Sequence, residues 1–161
     1  LIAGGTGSFS HLETMPTHMP DAFEAGTLNL PGIIGLNEGL SYIESVGMKN
    51  IHNHELTLTK TFLEGLRSIT GINIIGKQDI QDRTAVVSIT IDGMDPASIA
   101  YELESTYHIM TRVGLHCAPR AHQTLGTYPE GTVRFSFGYA NTLEEVDMAL
   151  SALHTILKNT K

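Results

Sequence analysis

The sequence has 161 residues, which is enough for one domain with a buried core. Hydrophobic residues make up 41% and charged residues 17%, proportions typical of a soluble globular protein. The net charge of −7 argues against nucleic acid or an anionic membrane as the main partner, because phosphate binding needs a basic face. No apolar run approaches the roughly 20 residues of a membrane span, and no signal peptide pattern is visible. We therefore expect a cytoplasmic protein.

The chain begins with Leu1-Ile-Ala-Gly-Gly and has no initiator Met, so we interpret it as a piece of a longer protein. Residues 1–31 are rich in Gly, Pro, Ser, Thr and His and predict an extended loop. A loop of this length is uncommon inside a compact domain unless it is functional.

Two helices are predicted next. Pro31 is suited to a helix start and Gly47 to a helix end. Between them one apolar stripe is formed by Ile33, Leu36, Leu40 and Ile43. A second helix is predicted over about 53–70, ending at Gly71. Its buried side is predicted to consist of Leu56, Leu58, Phe62, Leu63, Leu66 and Ile69.

Short strands follow at 72–75 and 84–91, and in the second of these Ala85, Val87, Ile89 and Ile91 share one face. Asp95 and Pro96 predict the N-cap and first turn of a third helix. Residues 112–115 and 133–137 predict two more strands, with a loop over 118–131. Thr142 and Glu145 form a capping box at the start of the last helix. This order predicts an α/β (α+β) two-layer sandwich, with helices packed on a small, mostly antiparallel sheet.

Cys117 is the single cysteine, which excludes an internal disulfide. It stands where a strand opens into a loop, with His116, Arg120 and His122 close in sequence. Nearby positive charge favours the thiolate, which is the nucleophilic form. The alternative is a small buried hydrophobic residue, because free cysteines are often buried. The composition alone leaves both interpretations open.

Arg134 lies in the middle of a predicted strand, between apolar residues. Such an arginine is costly unless it has an anionic partner, and a guanidinium holds a carboxylate through two parallel hydrogen bonds. A substrate carboxylate or a structural salt bridge to a core Asp or Glu satisfies this requirement equally well.

The histidines also raise the question of a metal site. His52 and His54 are two residues apart, and His116, Cys117 and His122 form a loose ligand set. There is no Cys pair and no second cluster with zinc-like spacing, so we predict no metal.

Several motifs together resemble the cysteine desulfurase branch of the class V aminotransferases, which are fold-type I enzymes dependent on pyridoxal 5'-phosphate (PLP). The resemblance covers nearly the whole chain, in the same order and with approximately the same spacing. The motifs are Gly4-Gly5-Thr6-Gly7-Ser8, Phe23-Glu24-Ala-Gly26-Thr27, Gly114-Leu-His-Cys-Ala-Pro, Ala121-His122, Leu125-Gly126-Thr127, Gly131-Thr-Val-Arg-Phe-Ser and Tyr139-Ala-Asn-Thr.

The resemblance implies that Cys117 attacks the sulfur of a bound L-cysteine or related amino acid, giving alanine and a persulfide, and that Arg134 binds the substrate carboxylate. It implies that Gly4, Gly5, Thr6 and Gly7 contact the cofactor phosphate of the partner subunit in a homodimer. Further residues at that shared site would be Glu24, Gly26 and Thr27. Residues 1–31 would continue from a large cofactor domain outside the chain, and 32–161 would form the C-terminal small domain. A sulfur-acceptor protein is a further implied partner.

His116 and His122 are possible accessory groups that tune or protonate, although we interpret each as a surface histidine. The family's cofactor lysine, usually in a His-Lys pair ahead of the Gly-Gly segment, has no counterpart among the lysines here, which are Lys49, Lys60, Lys77, Lys158 and Lys161. We therefore predict that this chain alone is inactive and does not bind PLP. Selenocysteine lyase, a class V aminotransferase proper, and a non-catalytic interaction domain remain alternatives.

Overall fold

A computed structural model describes residues 2–9 and 11–159, so the chain start at Leu1 and the last lysine, Lys161, lie outside the described residues. The chain divides into two compact units, Leu1–Gly47 and Met48–Lys161, and each is described by itself. The predicted division at residues 31 and 32 concerns the domains of a longer protein and stays a prediction.

The first unit consists of an extended segment and one long helix. A single 3-10 turn, Asp21–Phe23, interrupts the segment, and helix α1 spans Leu30–Val46. Asn29 caps α1 by accepting a hydrogen bond from the backbone N–H of Gly32, and Gly47 ends it with a φ of 88°. No residue of α1 is buried. The helix is thus placed as predicted, but its apolar stripe is not covered by its own unit.

The second unit alternates helices and strands. Its elements are α2 (Met48–Arg67), β1 (Ile72–Ile75), β2 (Val86–Ile91), α3 (Pro96–Tyr107), β3 (Arg112–Gly114), α4 (Pro119–Leu125), β4 (Thr132–Ser136) and α5 (Leu143–Asn159). The strands form one sheet in the order β1-β2-β4-β3, and all neighbouring pairs are antiparallel. The predicted two-layer sandwich is confirmed.

The core lies between one face of this sheet and helices α2, α3 and α5. Strand β2 turns Val87, Ile89 and Ile91 inward, as its alternation predicts, and β4 does the same with Val133 and Phe135. The helices complete the same cluster with Leu58, Phe62, Leu63, Leu66, Ile99, Leu103, Val146, Ala149, Ala152, Leu153 and Ile156. Thr132, Arg134 and Ser136, whose side chains lie on the opposite face of β4, are not part of this core.

The capping residues were predicted correctly. The carboxylate of Asp95 accepts the backbone N–H of Ser98 at 2.9 Å, with Pro96 in the first turn of α3. Thr142 and Glu145 bond reciprocally, at 3.1 Å and 3.3 Å, at the start of α5. Such caps satisfy backbone donors that a helix start leaves unpaired.

Two element predictions were wrong. Helix α2 begins at Met48 and not near residue 53. The earlier start was missed because Met48 and Ile51 are the only apolar residues before Leu56, too few to show a helical periodicity. The predicted loop over 118–131 contains α4, a seven-residue helix with Pro119 in its first turn and Gly126 in the left-handed conformation at its end. Its one buried residue, His122, gives no periodicity to detect.

Candidate functional site

The thiol of Cys117 is presented on a tight turn directly after β3. His116 and Cys117 both adopt the left-handed conformation, with φ of 51° and 58°. The backbone N–H of Ala118 donates to the carbonyl of Leu115 at 2.8 Å and closes the turn. Cys117 is exposed, so the interpretation as a buried hydrophobic residue was wrong. An exposed thiol at the end of a strand is accessible to a small substrate.

The side chain of Arg134 belongs to the face of the sheet opposite the core, because its strand neighbours Val133 and Phe135 point into the core. Its Nε atom is buried and has no hydrogen-bond partner among the residues that the structure describes. No ion pair joins Arg134 to a carboxylate within residues 2–9 and 11–159, so the structural salt bridge is not observed there. A partly buried guanidinium without an anion is poised to bind one.

Arg112 is a residue that the sequence interpretation missed. It starts β3 and lies directly opposite Arg134 in the antiparallel register. Like charges directly opposite one another destabilise a sheet unless an anion lies between or beside them. The only sequence signal is a second arginine at the edge of the Arg112-Val-Gly strand. Together the two guanidinium groups make this end of the sheet strongly attractive to a carboxylate.

His116 is tied to the same strand. Its Nε2 atom lies 3.2 Å from the carbonyl oxygen of Arg112, and its side chain is half-buried. Burial lowers the pKa of His116, and the electrostatic influence of Arg134, His122 and Arg112 lowers it further against the opposing effect of the hydrogen bond. The ring is therefore held in the neutral form more strongly than a free histidine.

His122 is buried, with 6% of its surface exposed, so its interpretation as a surface histidine was wrong. Its Nδ1 atom lies 2.7 Å from the hydroxyl of Thr127, which is itself buried. Helix α4 turns this side chain inward, and its ring centroid lies 5.6 Å from that of His116. The accessory role of the two histidines stays a prediction.

The two Gly-containing motifs of the first unit lie side by side. The N–H of Gly26 donates to the carbonyl of Gly5 at 2.8 Å, and a Cβ on Gly4 would lie 3.5 Å from that of Ala25. Gly5 and Gly7 have open space where a Cβ would stand. The backbone here can thus be approached closely, as a phosphate-binding segment requires.

The surroundings of this segment are polar. Thr6 is half-buried, and its hydroxyl accepts the N–H of Ser8 at 3.4 Å. Asp21 hydrogen-bonds to Ser8 and His18, and the Ser8 hydroxyl is the main cause of its lowered pKa. Because this carboxylate already has partners, it helps to order the segment.

The predicted site residues thus fall into two groups, one in each unit. Gly4, Gly5, Thr6 and Gly7 lie with the Glu24–Thr27 stretch, whereas Arg134, His116, His122 and Cys117 share the β3–β4 end of the sheet. In the part of the chain that the structure describes, no three His, Cys, Asp or Glu side chains converge as a metal site. Nor does any described helix have the length and apolar composition needed to cross a membrane.

Comparisons with known proteins give one consistent result. The sequence model of the class-V aminotransferases matches residues 2–149. A probable cysteine desulfurase of Methanothermobacter thermautotrophicus is 38% identical over 85% of this chain and 34% of its own length. One from Pyrococcus abyssi is 37% identical over 100% of this chain and 39% of its own.

A solved structure supports the same relationship. The apo structure of a cysteine desulfurase from Thermococcus onnurineus superposes with a TM-score of 0.85 at 38% identity. The match covers 99% of this chain and 39% of that one. The chain therefore spans between about a third and two fifths of the length of these three proteins.

Proposed function

Because this chain belongs to the class-V aminotransferase family, we propose that it is the C-terminal part of a PLP-dependent cysteine desulfurase. The names of the similar proteins and their greater length support this proposal. In it, residues 1–31 continue from a large cofactor domain and residues 32–161 form the small domain. The intact enzyme is proposed to be a cytoplasmic homodimer.

The residues of this chain fit one end of the cofactor. PLP carries a phosphate, and the open backbone at Gly5 and Gly7, with Gly4 beside them and the hydroxyl of Thr6, suits the phosphate bound in the partner subunit. Glu24 and Thr27 lie on the adjoining stretch. When bound, PLP supplies the electron sink that weakens the C–S bond of the substrate. None of the five lysines stands in a His-Lys pair, so we propose that this chain alone does not hold the cofactor covalently and is inactive.

Arg134 is proposed to bind the α-carboxylate of the substrate. Its guanidinium offers parallel N–H donors, and its buried Nε lacks any partner within the described residues. Arg112, opposite it, adds positive charge at the same end of the sheet. Fixing the carboxylate orients the substrate, which brings its sulfur to a defined position relative to the Cys117 turn.

Cys117 is proposed to accept the sulfur. Its thiolate attacks the sulfur of the substrate cysteine, so that a new S–S bond forms while the C–S bond breaks. The electron pair of the broken bond stays with the substrate carbon, which takes up a proton and leaves as L-alanine. The product on the enzyme is a persulfide at Cys117, which is then passed to a sulfur-acceptor protein.

One observation carries this proposal: the lone cysteine is exposed on a strained turn directly after β3, and β3 pairs with the strand of Arg134, which has no carboxylate partner among the described residues. A plain aminotransferase needs no thiol, so the exposed Cys117 favours desulfuration over that alternative. A selenocysteine lyase would use the same residues, and only the substrate separates it from a desulfurase. A non-catalytic interaction domain would make no use of either residue.

The test is to replace Cys117 by Ala in the intact enzyme and to measure alanine and sulfide release from L-cysteine. We expect persulfide formation to be abolished, while cofactor absorbance and thermal stability stay unchanged because the residue is exposed. A matched control is Ser136→Ala, because Ser136 is also exposed and lies at the end of β4, away from the Cys117 turn in sequence. A normal rate of sulfide release by Cys117→Ala would refute the nucleophile assignment. If the intact enzyme acts on selenocysteine and not on cysteine, it is a selenocysteine lyase.

A further inference from the structure

We propose that His122 and Thr127 are positioning residues that hold the Cys117 turn in place through His116. The expected effect on sulfur transfer by Cys117 rests on the proposed function. The structural part, that the buried pair fixes the turn, is independent of any reaction. The sequence offers His122 only as a possible accessory group that tunes or protonates and gives Thr127 no role, and the proposed mechanism uses neither.

The turn that presents the thiol needs external support. Two consecutive non-glycine residues, His116 and Cys117, occupy the left-handed region, which is unfavourable for L-residues because Cβ approaches the following carbonyl. Such conformations persist only where surrounding contacts enforce them. The single backbone bond between Ala118 and Leu115 is exposed to competition from water, since Ala118 is exposed.

His116 supplies the first of these contacts. The carbonyl of Arg112 can only accept, so Nε2 of His116 carries the hydrogen and donates it over 3.2 Å. This bond ties the first left-handed residue of the turn back to the start of β3. No hydrogen bond joins either imidazole to the thiol in the described part of the chain, which favours a positional role over proton transfer.

His122 supplies the second contact, from behind. Its ring lies 5.6 Å from that of His116 and is held by the 2.7 Å bond to the Thr127 hydroxyl. Because both partners are buried, losing one would leave the other unsatisfied, at a cost in free energy. The His122 ring is therefore a fixed surface against which the His116 ring packs.

The backbone connects the same residues. The N–H of His122 donates to the carbonyl of Ala118, and the N–H of Thr127 donates to the carbonyl of His122 at 2.9 Å. The N–H of Gly131 donates to the carbonyl of Thr127 at 2.7 Å, directly before β4 begins. The turn is thus linked through α4 to the strand that carries Arg134. A shift of the buried pair would move the thiol relative to the guanidinium.

The experiment compares Thr127→Val and His122→Phe with wild type in the intact protein. Thr127→Val removes only the hydroxyl at nearly constant volume, and Thr127→Ser serves as the rescue variant. Thr124→Val is the matched control, because Thr124 is an exposed threonine on the same helix. Hydrogen exchange of residues 112–122 and steady-state kinetics with L-cysteine are measured for each variant.

We expect amides of residues 115–118 to exchange about tenfold faster or more in Thr127→Val and His122→Phe, with exchange in α2 unchanged. The kcat should fall about tenfold, because small displacements of a reacting group are costly, while KM stays constant since Arg134 is intact. Thr127→Ser and Thr124→Val should match wild type.

The following results would contradict the proposal or the function on which it depends. Unchanged exchange in the turn overturns the proposal, whatever the enzyme catalyses. Faster exchange with an unchanged kcat overturns the positioning role in sulfur transfer. Accelerated exchange throughout α2 in Thr127→Val also overturns it, since the pair would then stabilise the whole fold. If exchange in the variants is faster only in the turn, but the wild-type protein forms no persulfide, the proposed desulfurase function is wrong and the structural inference still holds.

Discussion

The backbone of Gly131 packs directly against the backbone of Gly114. A Cβ built on Gly131 would lie 2.2 Å from the carbonyl carbon of Gly114, far inside any van der Waals contact. Gly114 ends β3 and Gly131 precedes β4, so this contact brings the two strands together just where the Cys117 turn leaves the sheet. Both residues also have positive φ, of 101° and 82°.

Gly131→Ala should therefore destabilise the fold more than an ordinary glycine replacement at positive φ. Gly126 is the matched control, because its φ is 72° and a Cβ there would meet nothing within 4 Å. We expect Gly126→Ala to cost about 1 kcal/mol from backbone conformation alone. Gly131→Ala should cost about 1–3 kcal/mol more, since the backbone must also move apart. Urea denaturation measures both, and equal losses would mean that the close approach is easily relieved.

Arg134→Lys should raise KM for L-cysteine about 10- to 100-fold in the intact enzyme. An ammonium replaces parallel donors by a point charge, and a hydrogen bond to a charged group contributes about 1.5–3 kcal/mol. Thermal stability should stay within the range of a surface substitution, because no carboxylate partner is lost among the described residues. Arg120→Lys, an exposed replacement on α4, is the control. An unchanged KM would show that the carboxylate binds elsewhere.

The fold was largely predictable because its apolar periodicities are local. The alternation along β2 and the caps at Asp95 and Thr142 depend on residues within a few positions of one another, so the sequence alone reveals them. Helix α4 was missed because a seven-residue helix with a single buried polar residue has no apolar face. Helix α1 shows a different limit of sequence patterns. Its apolar stripe was predicted correctly, but the pattern does not say which surface covers that stripe.

The site was only partly predictable, for a different reason. Cys117 and Arg134 could be proposed as candidate site residues from the sequence because an unusual residue type stood in an unusual context. Arg112 was missed because its significance comes from its register opposite Arg134, which depends on strand pairing 22 positions apart and not on neighbours in sequence. The burial of His122 likewise depends on how residues 118–131 fold back towards β4.

The 161-residue chain on its own should not develop the visible absorbance of a lysine-linked cofactor when PLP is added. The physical reason is that none of its lysines has the His-Lys context that the family uses. Absorbance titration with dialysis measures this, and circular dichroism confirms that the chain is folded during the titration. An absorbance band that survives dialysis, and disappears on replacement of one lysine, would contradict the prediction.

The stability of the intact protein should decrease as the pH falls below about 6.5, in part because of His116. Burial, then the charge of Arg134, lowers the pKa of His116 in the folded state. Between the folded and unfolded pKa values the unfolded chain binds more protons, so the free energy of unfolding rises with pH across that window.

His116→Asn removes the titrating group and should flatten this part of the pH profile of stability. His108→Asn is the control, since His108 is exposed and shares the left-handed conformation. Denaturation between pH 7.5 and 5 distinguishes them, and an equal slope in His116→Asn and wild type would show that the ring is no harder to protonate in the folded state.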